Sequence, residues 1–250
     1  MENKNGQGIF YGVIGVATLV VAIIGATFAY FSAAGTVNTV NQIAGGTNDE
    51  LAGALTAKVE KVNLQSLSNV ASDNLVPTNL SKTSDVELVK GAVQANCAKD
   101  GYTGCHLYRI TAESSQTVAA ASLRLATLGV TLAKTGNTTQ SDWQYVVVSG
   151  NAADTGTTVS ASDLAFLTGD AATPSRGDMS NFAAFDMHNG AGMTAGQKYV
   201  YYLLVFLNDD GESQNSDDTN NSTGTYEGTV TLAAAGSGEV TATFSNYTAG

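Results

Sequence analysis

The stretch YVYYLLVFL, residues 199–207, is apolar at every position. Such a run presents hydrophobic side chains to both faces of an extended chain, as expected for a central strand covered on each side. The segments that follow it alternate instead. Tyr226, Gly228, Val230 and Leu232 are interleaved with Thr225, Glu227, Thr229 and Thr231, and Val240, Ala242 and Phe244 with Glu239, Thr241 and Thr243. Period-two alternation marks half-buried antiparallel strands with one wet face. The intervening Ala235-Gly236-Ser237-Gly238 suits a hairpin. Upstream, the same reasoning predicts strands at 55–63, 105–113, 122–132 and 143–149. Repeated short strands separated by Gly, Asn and Asp argue for an all-β, mainly antiparallel sandwich or barrel. A parallel βαβ rhythm is missing.

One helix breaks the pattern. Ser84-Asp85-Val86-Glu87 has the spacing of a capping box, in which hydroxyl and carboxylate each meet an orphan amide. Val86, Val89 and Val93 then share a helical face, and the helix is expected to end near Asn96. A second short helix is predicted at 160–167, capped by Ser160 or Ser162. No internal repeat or domain-separating linker interrupts 54–250, a normal length for one all-β domain.

Composition limits the function classes. Charged residues make up 13% of the 250, with 22 acidic against 11 basic side chains and a net charge of −11. An acidic chain repels phosphate backbones, which argues against a nucleic-acid partner. A hydrophobic content of 43% argues against general disorder. Residues 1–48 hold only Glu2 and Lys4 as charged side chains. The acidic excess therefore sits in the β-rich portion.

Residues 9–31, IFYGVIGVATLVVAIIGATFAYF, carry no charge. About 20 such residues span a bilayer core as a helix. The run is long for the apolar core of a signal peptide, usually about 7–15 residues. Small residues nevertheless stand at −3 and −1, Thr27 and Ala29, before Tyr30, with 32–34 a second candidate cleavage site. Both a retained anchor and a cleaved signal fit. Lys4 places the N-terminus in the cytoplasm and the remainder outside. The expected organisation is a signal or transmembrane helix over 1–33 and a linker or exchangeable N-terminal strand over 34–53. An extracellular β-sandwich follows over 54–250. Neither a sorting signal nor a second apolar span is seen toward Gly250, so anchoring is assigned to the N-terminal helix.

Cys97 and Cys105 flank a seven-residue stretch with turn residues Asp100-Gly101 and Gly104. Export favours a disulfide between them, two reduced core thiols being the alternative. The spacing is too wide for a C-x-x-C redox motif.

The apolar N-terminus ending GATFAYFSA (25–33), joined to a β-rich domain, resembles the TasA/camelysin group. These are exported surface and biofilm-fibre proteins of Gram-positive bacteria, processed by a SipW-type signal peptidase. NCAKDGYTGCHLYRI (96–110) and the ending YVYYLLVFLNDDGESQN…TGTYEGTVTL (199–232) are similar to segments of members from related bacteria. The resemblance covers about a third of the chain and carries nothing over 136–196. It implies a jelly-roll-like β-sandwich and self-association into filaments, with one subunit's N-terminal strand completing the next subunit's sandwich. Here that strand would fall within 30–43. The long apolar run departs from the pattern: if uncleaved, it leaves an anchored surface domain whose strand is not free to exchange.

Candidate chemistry is sparse. No H-E-x-x-H or G-x-S-x-G occurs, and the two histidines, His106 and His188, lack partners at i+4. His106 reads as a surface or half-buried strand residue and His188 as a loop residue. The chain is therefore read as a non-enzyme without an organic cofactor. Residues 208–218 gather oxygen ligands, and Asp209, Asp210, Asp217 and Asp218 are the candidate calcium ligands, a solvated acidic loop being the alternative. Arg176-Gly177-Asp178 matches a short adhesion tripeptide that recurs easily by chance. Asn79, Asn137, Asn220, Asn221 and Asn246 head N-x-S/T triplets, which matter only in a glycosylating host.

The preferred function is an exported cell-surface structural protein, a fibre or surface-coat subunit assembling through its N-terminal segment. One alternative is a pilin-like filament subunit with a retained N-terminal helix. Gly8-Ile9 resembles its cleavage position, but Gly12 and Val13 stand where a glutamate is usual. Another is a membrane-anchored binding module that recognises glycan through exposed tyrosines and Trp143.

Overall fold

The computed structural model describes residues 42–43, 54–64, 67, 72–80, 84–132, 140–151, 158–159, 176–209, 211, 224–234 and 239–246. All of them belong to one unit, Thr39–Gly250. The predicted apolar helix, Thr27, Ala29 and Tyr30, most of 34–53, the helix at 160–167 and the 235–238 linker lie outside the described residues. Among the described residues no helix is long and apolar enough to cross a membrane.

Fourteen strands are described. They are β1 (Gln42–Ile43), β2 (Leu55–Leu64), β3 (Ser72–Leu75), β4 (Ala98–Lys99), β5 (Tyr102–Thr103), β6 (Cys105–Ser114) and β7 (Ala121–Leu132). Then come β8 (Trp143–Ser149), β9 (Thr158–Val159), β10 (Arg176–Asp178), β11 (Phe185–Asn189), β12 (Lys198–Leu207), β13 (Gly224–Ala234) and β14 (Glu239–Ser245). One sheet has the order β1-β14-β13-β7-β11, a second β10-β8-β12-β6-β2-β9, and a small third β3-β5-β4. Pairing is antiparallel except between β2 and β9 and between β3 and β5. The fold is all-β and sandwich-like, and each long strand expected from the sequence is found within one residue of its observed bounds, apart from β13, which runs two residues beyond the alternating segment at its C-terminal end.

The run 199–207 is the middle of β12, flanked by β6 on one side and β8 on the other. Tyr201, Leu203, Val205 and Leu207 join the core shared with the five-stranded sheet, beside Leu123, Leu125, Val230 and Leu232. Val200, Tyr202, Leu204 and Phe206 join a second core on the opposite face. Burying each such side chain contributes roughly 1.5–3 kcal/mol, so both covers are needed to hold this strand.

The second cover is the helix. α1 (Asp85–Gly91) is capped by Ser84, whose hydroxyl accepts from the Glu87 amide at 3.3 Å. It buries Val86, Leu88 and Val89 and packs against β8. The chain then widens into a π-helical turn, Ala92–Asn96, closed by the Cys97 amide donating to the Ala92 carbonyl at 3.2 Å. That wider turn delivers Cys97 to the start of β6. There a disulfide joins it to Cys105 across a Cα–Cα distance of 5.0 Å. Asp100 and Gly101 both take positive φ, 53° and 82°, the geometry a two-residue hairpin between β4 and β5 requires.

β2 divides its loyalty. Leu55, Ala57 and Val59 belong to the sandwich core, whereas Val62 and Leu64 belong to the core under the helix. Alternation alone places 59 and 62 on opposite faces, so no bulge is required. Between them, Glu60 pairs with Lys58 and accepts from the buried Arg109 guanidinium at 2.9 Å. Burial raises the Glu60 pKa, but the hydrogen bonds from Lys58 and Arg109 outweigh it and hold the carboxyl below its ordinary value.

A candidate assembly edge on the C-terminal strand

The edge of the five-stranded sheet is built from β14 and β1. β14 pairs along its length with β13, from Glu227↔Ser245 to Ala233↔Glu239. On its other side it meets β1 through two residue pairs, Gln42↔Ala242 and Ile43↔Thr241. The threonines at 241 and 243 fall on the wetter face, while Val240, Ala242 and Phe244 fill the core. Gly228 stands opposite Phe244, and a Cβ there would collide with the Phe244 ring. Glycine at this position is what lets the ring lie flat against β13.

The end of this strand is tied down by polar groups from three directions. The Asn246 amide donates to the Tyr226 carbonyl at 3.2 Å, and the Asn246 carboxamide oxygen accepts from the Tyr226 amide at 2.7 Å. Its Nδ2 reaches the Gly224 carbonyl at 3.4 Å. From the opposite sheet, the Tyr108 hydroxyl donates to the Ser245 carbonyl at 3.2 Å, and its ring packs on Phe244 with centroids 4.9 Å apart. Tyr108 Oη is also 2.7 Å from Tyr226 Oη, which in turn is 2.7 Å from His106 Nδ1. His106, Tyr108 and Tyr226 are each 1% exposed.

One proton arrangement satisfies all three contacts together. Each phenol has a single proton to give. With the Tyr108 proton on the Ser245 carbonyl, Tyr226 donates to Tyr108 and the His106 Nδ1–H donates to Tyr226. The chain therefore runs in one direction, from the six-stranded sheet into the main chain of β14. Trp143, fully buried, borders it with its ring 5.7 Å from that of Tyr226.

Several expectations about single residues change here. His106 is not at the surface: β6 is covered on both faces, so even a polar residue on it is enclosed. His188 lies in β11, not in a loop, and stacks on Tyr199 at 3.8 Å. Trp143 is inside the sandwich, which removes it as an exposed glycan platform. For His106 and Trp143 the strand assignment was local, whereas enclosure depended on a second layer brought from elsewhere in the chain.

Of the candidate calcium ligands, Asp209 is described. Its carboxylate accepts from Lys99 Nζ at 3.0 Å and from the Gly211 amide at 3.1 Å. Those bonds, the lysine first, hold its pKa below the usual carboxylate range. Asp210, Asp217 and Asp218 lie outside the described residues. Among the described residues no group of three or more His, Cys, Asp or Glu could hold a metal ion.

The Arg176-Gly177-Asp178 tripeptide forms β10, the edge strand on β8. Its Asp178 carboxylate accepts from the Ser180 and Asn181 amides at 3.0 and 3.1 Å, capping the 3₁₀ turn Met179–Asn181. Hydrogen bonds from Ser180 and then Asn181 lower the Asp178 pKa. This carboxylate serves the fold locally. Asn79 is exposed, whereas Asn246 is the tie described above.

No protein-family model matches the chain, and no curated protein matches it.

Proposed function

We propose that the chain is an exported cell-surface structural protein, a fibre or surface-coat subunit with a jelly-roll-like sandwich that assembles through its N-terminal segment. The observation that carries this reading is β1. Among the described residues, the segment between the apolar run and the domain meets β14 as an edge strand through Gln42 and Ile43, and an edge position is one that the same strand of a neighbouring copy can take. The apolar run at 9–31 supports export, and the buried disulfide suits an oxidising exterior.

The test starts with the native protein. N-terminal sequencing should find a start near Tyr30, and negative-stain microscopy of that mature form should show fibres or regular oligomers. A deletion of residues 34–43 should remain monomeric. Discrete monomers from the intact mature form at every concentration, or unchanged assembly of the deletion variant, would sink the reading.

A further inference from the structure

We propose that His106, Tyr226 and Tyr108 act as a clasp that keeps the β14 edge in place as a template, so that Tyr108 is a positioning residue for the incoming strand. This rests on the assembly reading above, in which β14 receives a strand from another copy.

The physical need follows from the position of β14. A strand at a sheet edge is paired along one side, here with β13, and among the described residues β1 adds pairs at Thr241 and Ala242 on the other. When β1 leaves, those two pairs go with it. The β13 ladder then holds β14 along one side alone, and whatever else fixes its C-terminal end sets how readily that end frays. An acceptor that frays has to be reordered at each encounter, and that ordering cost is subtracted from binding.

The clasp provides a hold that does not depend on β1. Tyr108 belongs to the opposite sheet, yet its hydroxyl bonds the Ser245 carbonyl and its ring packs on Phe244. Tyr226 and His106 fix the direction of that hydroxyl by ordering the proton chain. Asn246 closes the same end onto β13. The His106, Tyr108 and Tyr226 side chains are buried, so a polar partner lost there is not replaced by water and its loss is costly. The edge that would receive a neighbour is therefore braced from inside the sandwich, leaving its outward side available.

Tyr108→Phe tests this with little change of shape. In the full chain, solubilised in mild detergent, hydrogen exchange of the Val240–Phe244 amides should quicken by roughly threefold to tenfold, the equivalent of one net hydrogen bond. Amides of β7 should be unchanged. A synthetic peptide of residues 30–43 should bind the variant more weakly than wild type by a similar factor. Met187→Ala, a cavity on β11 in the same core, serves as the control for general destabilisation and should leave peptide affinity intact. Uniform quickening across β7 and β14, or unchanged exchange in β14, overturns the clasp. Equal peptide affinity for wild type and Tyr108→Phe overturns it as well. If the peptide fails to bind wild type, the assembly reading falls, while the exchange pattern still decides whether the clasp exists.

Discussion

Removing the disulfide by a Cys97→Ala/Cys105→Ala double substitution should destabilise the domain by about 2.5 kcal/mol. The figure follows from the sequence separation of 8 between the cysteines. In the chain-entropy relation, a loop of that size withholds about 8 cal/mol/K from the unfolded chain, or about 2.5 kcal/mol at 25 °C. Both sulfurs are fully buried, so a small cavity penalty adds to this value. For a domain of this length each kcal/mol moves the melting temperature by about 2–4 °C. The double variant should therefore melt about 5–10 °C below the wild type in calorimetry or circular dichroism. Because the bond is enclosed, a mild reductant should leave the native wild type unchanged and lower its midpoint only once denaturant opens the domain. A variant melting within about 2 °C of the wild type would refute the loop-closure argument. So would two free thiols in protein denatured without reductant.

Glu60 should shape the acid limb of stability. Its folded pKa is lowered, so its contribution is complete above the unfolded value of about 4.3 and is lost as the pH falls through the folded value. Glu60→Gln should flatten the stability profile in that acid window, and an unchanged slope in denaturant melts between pH 5 and pH 3 would count against the pairing with Lys58 and Arg109. Leu203→Ala, at the fully buried centre of β12 between Tyr108 and Val147, should cost about 2–5 kcal/mol in urea unfolding. A loss below about 1 kcal/mol would mean that β12 is not the central strand described here.

Much of the architecture is legible in local patterns because strand and helix periodicities are properties of a few neighbouring residues. Residues 226–232 and 240–244 announce their buried faces by alternation, and Ser84 announces the helix start by its spacing to Glu87. Asp100-Gly101 announces a turn because positive φ is a local demand, while the two short strands it joins are seen only in the structure. What neighbours cannot encode is the identity of the covering layer. His106 and Trp143 look like ordinary strand residues, and only the arrival of Tyr226 from more than eighty residues downstream turns the first into a link in a proton chain and encloses the second.

Side-chain order over spans shorter than about 25 residues is enough to mark an all-β antiparallel chain, one capped helix, a turn between the cysteines and an uncharged run at 9–31. The tertiary structure alone decided that β2 serves two cores, that the tripeptide at 176–178 is an edge strand with a self-capped carboxylate, and that a histidine and two tyrosines brace the last strand. Those outcomes depend on which distant strands become neighbours, and that is set by the burial of both faces of β12 against two different layers.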